Sequence, residues 1–273
     1  MFKLACSPNR RLLIALLAAA LAGCGGGGAS SSDAAPAMEG SRETRSISSR
    51  NTGSQYPLSI YLPPASAGAR SGLPVIFVLD GESWFETLVT IAEATRNRVI
   101  IVAVHTAGLR GRDFVPANGC TPGGGGHVAY FDFIRQELLP YVHSTVGGHP
   151  GQRALFGHSH GGSFVLHAMF AEAPGHHSFK SYLASDASVA CMSGPAADWE
   201  QHYGAAYREL PLRLHLSYAT LGNFFGNLNY ADVITKRNYT GLTFTSQAYN
   251  GTHVGIVPYV LAGSLVFAFA GSP

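Results

Sequence analysis

Two kinds of run alternate along this chain. Short strand-like runs lie at 56–62, 73–79, 99–104, 152–156, 179–184, 212–218 and 242–248, of which 73–79 is near-continuously apolar and 99–104 β-branched. They are too short for typical helices and rich in branched residues, as expected of strands buried on both faces. Pro63-Pro64 stops the first. Between them, 84–94, 128–141, 163–171, 198–209 and 256–270 carry apolar residues at helical spacing; in 128–141, Phe131, Ile134, Leu138 and Leu139 share one side. Pro258 suits the first turn of the last of these helices. Strand and helix alternate without a fixed repeat, which predicts an α/β architecture: one mostly parallel central sheet with helices on both faces.

The N-terminus follows a different pattern. Lys3, Arg10 and Arg11 precede an apolar run over 12–21, and Leu21-Ala22-Gly23-Cys24 follows. A basic region, a short apolar core and small residues before a cleavage point predict a secretory leader over 1–23. The Leu-Ala-Gly-Cys ending resembles a bacterial lipobox, with Cys24 as the lipidated residue. Residues 24–45 are dominated by Gly, Ser, Ala and Pro and read as a flexible tether, leaving 46–273 as a single catalytic domain. These segments predict a location in the bacterial cell envelope, lipid-anchored in a membrane and facing the periplasm.

Charge and cysteine count narrow the partners. Losing Lys3, Arg10 and Arg11 takes the basic count from 18 to 15 against 16 acidic residues, so the mature net charge is −1 rather than +2. That balance points away from nucleic acid. Of four cysteines, Cys6 leaves with the leader and Cys24 is the expected lipid site. Cys120 and Cys191 remain, as one disulfide or as two thiols in an oxidising compartment. No Cys/His spacing resembles a zinc site, so neither metal nor cofactor is expected.

The chemistry concentrates in Leu155-Phe156-Gly157-His158-Ser159-His160-Gly161-Gly162. A G-x-S-x-G pattern between a strand and a helix forces its serine into a strained turn that lifts the hydroxyl clear of the sheet edge. In an α/β-hydrolase fold the general base follows the last strand, where His253 stands. It takes the serine proton and returns it to the leaving group. Oxyanion donors are expected at the backbone of His160 and, after the 73–79 strand, at Gly81 or Glu82. The acid is ambiguous. Ala219-Thr220-Leu221-Gly222-Asn223, where it normally lies, has no carboxylate. Asp186 ranks first, Asp232 second, and a Ser–His dyad without acid follows.

The chain resembles the esterase D / enterochelin-esterase-like (siderophore esterase) group of α/β hydrolases over roughly residues 50–270. The resemblance rests on the 75–81 strand and turn, Arg110-x-x-Asp113-Phe114-x-Pro116, the glycines at 123–126 and Phe131-x-x-x-Arg135-x-Glu137-Leu138-x-Pro140. Phe156-Gly157-His158-Ser159-x-Gly161-Gly162 and His253 complete it. It implies hydrolysis of a small-molecule carboxylic ester through an acyl-enzyme on Ser159. It further implies a substrate-lining loop including Arg110, Asp113, Gly124 and Gly125, with His158 beside it. His160 departs from the group, where that position is usually apolar. A siderophore lactone is the substrate that the resemblance suggests. The alternatives are a general carboxylesterase, an acyltransferase, or a non-catalytic lipoprotein that uses the fold as a binding module.

Overall fold

A computed structural model of the chain describes residues 39–64, 70–106 and 108–271, with the backbone alone at Cys191 and Ser193. The expected leader, the Cys24 lipid site and most of the expected tether lie outside the described residues.

Eight strands form one sheet in the order β1-β2-β4-β3-β5-β6-β7-β8. They are β1 (Ser41–Ser48), β2 (Gln55–Leu62), β3 (Val75–Leu79), β4 (Ile100–Val104), β5 (Arg153–His158), β6 (Ser181–Ser185), β7 (Arg213–Leu221) and β8 (Thr243–Thr252). Strand β2 runs antiparallel to both β1 and β4, and every pairing from β4 through β8 is parallel. This is the mostly parallel sheet that the alternation predicts, in the α/β-hydrolase architecture that the resemblance implies.

Strand parity explains why the central strands read as continuous apolar runs. Val75, Phe77 and Leu79 of β3 join one core, with Ile100, Val102 and Val104 of β4. Ile76, Val78, Ile101 and Ala103 enter the other. Successive side chains point to opposite faces, and here both faces are covered. Helices α1 (Gly81–Ala94) and α8 (Val257–Ala268) close the second core through Leu88, Val89, Val260 and Leu261. The first is closed by α2 (Arg110–Phe114), α3 (His127–Phe133), α4 (Leu139–Thr145), α5 (His160–Phe170), α6 (Ser193–Ala206) and α7 (Phe224–Arg237).

Helices α2 and α7 lie outside the expected helical runs, and three further departures have a clear physical reason or bear on the site. Strand β1 begins at Ser41, inside the expected 24–45 tether, so the ordered fold starts before residue 46. It shows little apolar alternation because it is an edge strand held by its backbone pairing to β2. The single helix expected over 128–141 is α3 and α4 joined through a π-helical stretch, Ile134–Leu138. Pro140 has no N–H to donate and its ring crowds the carbonyl four residues back, so the turn before it widens. Strand β8 runs four residues past the expected 248, which places His253 directly after its end.

Candidate active site

Ser159 links β5 to α5 with φ 61° and ψ −119°, the strained turn that the motif demands. Its neighbours must be small. A Cβ on Gly157 would lie 2.2 Å from the Gly161 carbonyl oxygen. The turn is pinned to β6 by the Ser159 N–H bond to the Ser185 carbonyl at 2.9 Å. From the loop after β6, Ser188 donates its N–H to the Ser159 carbonyl at 3.1 Å. Its hydroxyl lies 3.2 Å from Ser159 Oγ, which gives the nucleophile candidate a resting partner.

The structure brings His253 and Asp186 together: Nδ1 and Oδ2 are 2.5 Å apart. The His253 ring also lies against His158, the residue before Ser159, with centroids 4.4 Å apart. Asp186 follows β6 with φ 38° and is fully buried. A buried carboxylate needs donors. They come from Ala219-Thr220-Leu221-Gly222-Asn223, the loop that offers no carboxylate of its own. Oδ1 accepts from the Ala219 N–H at 3.0 Å, and both oxygens from the Asn223 N–H at 3.2 Å. A Cβ on Gly222 would sit 2.3 Å from Asp186 Oδ2, so only glycine lets the loop wrap the acid this closely. Asp232, the second-ranked acid, is not part of this array. It is solvent-exposed on α7, paired with Lys236 one turn on at 2.6 Å.

The expected oxyanion donors sit at two adjoining helix starts. Helix α1 opens at Gly81 after Asp80, itself at φ 53°, and α5 opens at His160. The two turns touch: the Cβ position of Gly161 is 3.3 Å from Asp80 Oδ2 and 3.7 Å from Leu79 Cβ. First-turn N–H groups have no acceptor within their own helix and point outward from its start, the electrostatics an oxyanion requires.

The residues expected to line the pocket mostly hold it together instead. Arg110 donates from Nε to Asp80 Oδ1 at 2.8 Å and from a terminal nitrogen to the His158 carbonyl at 2.9 Å, tying both turns together. Asp113 does not line the pocket: it is fully buried, bound to the Tyr56 hydroxyl at 2.8 Å and Arg112 Nε at 2.7 Å. His158 is also buried, its Nδ1 3.1 Å from Ser185 Oγ. Gly124 and Gly125 close their loop on itself, the Gly125 N–H reaching the Val115 carbonyl at 2.6 Å. The His160 ring holds that loop through Thr121 Oγ1 at 3.2 Å. Cys120, one residue earlier, is disulfide-bonded; the side chain of Cys191, its expected partner, lies outside the described residues.

Burial sets the charge states around the serine. It holds His158 down to about 3, with His253 adding to the effect. His160 is also lowered, by burial first and then by Arg110 and His253. Burial raises Asp80 against the opposing pull of Arg110. Both imidazoles flanking Ser159 are therefore neutral at pH 7. Among the described residues, no three His, Cys, Asp or Glu side chains converge to hold a metal.

Residues 49–217 match the Esterase family model, described as "Putative esterase". The chain belongs to this esterase family. It is similar to the siderophore triacetylfusarinine C esterase of Aspergillus fumigatus, at 33% identity over 139 residues, 44% of this chain and 46% of that one. It is 27% identical over 172 residues to the ferri-bacillibactin esterase BesA of Bacillus subtilis, 54% of this chain and 58% of that one. It thus spans about half the length of these curated relatives. In structure it resembles an IroE-like serine hydrolase from Shewanella oneidensis, with TM-score 0.75, 25% identity, and 83% and 80% of the two chains covered.

Proposed function

We propose that this chain is a serine esterase that hydrolyses carboxylic esters through an acyl-enzyme on Ser159, with siderophore esters or lactones as its substrates. The observation that carries this reading is the bond between Asp186 Oδ2 and His253 Nδ1, beside a serine in the strained β5–α5 turn. In this reading Asp186 fixes His253 through Nδ1, which leaves Nε2 as the base for Ser159. His253 takes the Ser159 proton as Oγ attacks the ester carbonyl, and the N–H groups of His160 and of Gly81 or Glu82 receive the developing oxyanion. The alcohol leaves with the proton from His253, and water attacks the acyl-enzyme by the same route in reverse. The siderophore reading is supported by the two curated relatives, a triacetylfusarinine C esterase and a ferri-bacillibactin esterase.

The test is labelling by a fluorophosphonate probe together with hydrolysis of p-nitrophenyl esters. The wild type is expected to label at Ser159 and turn over; Ser159→Ala is expected to do neither. An unlabelled, inactive wild type rejects the reading.

The same proposal places the enzyme at the envelope, tethered through Cys24. The basic leader and the Leu21-Ala22-Gly23-Cys24 sequence support it. Cells fed an alkyne-tagged fatty acid should yield a labelled protein, and Cys24→Ser should abolish the label. Equal labelling of both would remove the anchor.

A further inference from the structure

Large apolar side chains exposed to solvent are scattered over most of this surface, but four of them gather around the acid side of the site. Leu221 is 71% exposed, Phe225 76%, Val254 57% and Leu228 42%. Leu221 ends β7 opposite Thr252 of β8, and Val254 follows two residues later, next to His253. Phe225 stands in the first turn of α7, and Leu228 lies one turn on along the same face. That first turn is docked against the loop holding Ser188: Asn227 Nδ2 donates to the Ala187 carbonyl at 2.8 Å, and the Cβ position of Gly226 is 3.0 Å from Ala190. The patch is therefore fixed to the same loops that position Asp186, Ser188 and His253.

Its charge is as informative as its hydrophobicity. The stretches 219–228 and 250–257 contain no Lys, Arg, Asp or Glu. Asp186, beneath them, is fully buried and bonded to His253. On the opposite side of Ser159, the Arg110 guanidinium is taken up by Asp80 and the His158 carbonyl. A polyanionic chelate would find no cation on this rim, whereas an apolar ester arm would cover surface that water hydrates poorly.

We propose that Leu221, Phe225, Leu228 and Val254 form a specificity rim that binds the uncharged, apolar arm of the ester, so that a siderophore ester is taken only in an uncharged form and neutral esters with bulky aliphatic or aryl groups are the preferred class. The inference rests on the esterase reading and adds the substrate class. Each rim contact is worth the discrimination typical of a hydrophobic pocket, where one or two methylenes change kcat/KM by about tenfold or more.

The experiment measures kcat/KM of the full-length chain for p-nitrophenyl acetate, hexanoate and a negatively charged succinate monoester. Wild type and the double variant Leu221→Ser/Phe225→Ser are compared, with Val254→Lys as a second variant. These side chains are exposed, so the variants should fold, and circular dichroism checks that they do. The wild type is expected to prefer hexanoate to acetate and to disfavour the succinate. The hexanoate-to-acetate ratio should fall about tenfold in the double variant. Val254→Lys should raise the succinate-to-hexanoate ratio. Ratios unchanged within about twofold in an active enzyme overturn the rim while leaving the esterase reading intact. A wild type inactive on every ester overturns both. Unchanged ratios with a dimer that becomes monomeric in sedimentation assign the patch to a second copy of the chain and also overturn the proposal.

Discussion

Ser159, His253 and Asp186 come from three separate strand ends, and substitutions there should separate chemistry from stability. Ser159→Ala or His253→Ala is expected to lower kcat by at least about a thousandfold, and Asp186→Asn by about a hundredfold or more. Asp232→Asn should change it by less than about twofold, because that carboxylate is in solvent on α7. A large effect at 232 and none at 186 would reverse the assignment. Gly222→Ala offers a subtler test. Its methyl would lie 2.3 Å from Asp186 Oδ2, so either the acid or the loop must move. Its kcat should fall towards that of Asp186→Asn while the fold persists, read by kinetics beside a thermal melt.

At the scale of elements, the β5–α5 unit carries both strain and buried imidazoles. Gly157→Ala would set a Cβ 2.2 Å from the Gly161 carbonyl oxygen. A destabilisation of about 1–3 kcal/mol is expected, measured by denaturant unfolding. Burial lowers His158 and His167 to about 3 and His215 to about 4, from 6.5. Between those values and 6.5 the unfolded chain binds more protons than the folded one. Stability is therefore fully present above about pH 6.5 and falls as the pH drops below it, by about 1.4 kcal/mol per pH unit for each histidine. His167 on α5 is the cleanest probe, because both ring nitrogens are buried without a hydrogen bond. Replacing it with Phe should remove about 2 kcal/mol of the stability lost between pH 7 and pH 5. An unchanged loss would mean that other groups govern the acid limb.

For the molecule as a whole, the two cores hold the sheet and the loops at its carboxyl edge hold the site. The loop bearing Cys120 reaches the site through Thr121 and His160, and Cys120 is disulfide-bonded. Reduction should therefore cost about 2–4 kcal/mol. It should also depress ester turnover, as the loop loosens beside the β5–α5 turn. A reduced protein with unchanged melting temperature and activity would show that the loop is held by its hydrogen bonds alone.

The fold was legible because it is a matter of period. Central strands buried on both faces must be apolar at every position, and Val75–Leu79 and Ile100–Val104 are. Edge strands need only their backbones, so the first five residues of Ser41–Ser48 read as tether. The serine was legible because its strained turn demands glycines at fixed spacing, and His253 because chain order places it after the last strand. The Asp186–His253 pair is less so: the sequence ranks Asp186 ahead of Asp232 but does not say what holds its carboxylate. Three-dimensional pairing alone puts the N–H groups of Ala219 and Asn223 on its carboxylate. The same limit applies to Arg110, Asp113 and His158, which read as pocket residues and are braces. Periodicity and motif spacing are local properties that a linear chain displays directly. The partner of a buried carboxylate, guanidinium or imidazole is chosen by which distant strands the sheet makes neighbours, and only the tertiary structure decides that.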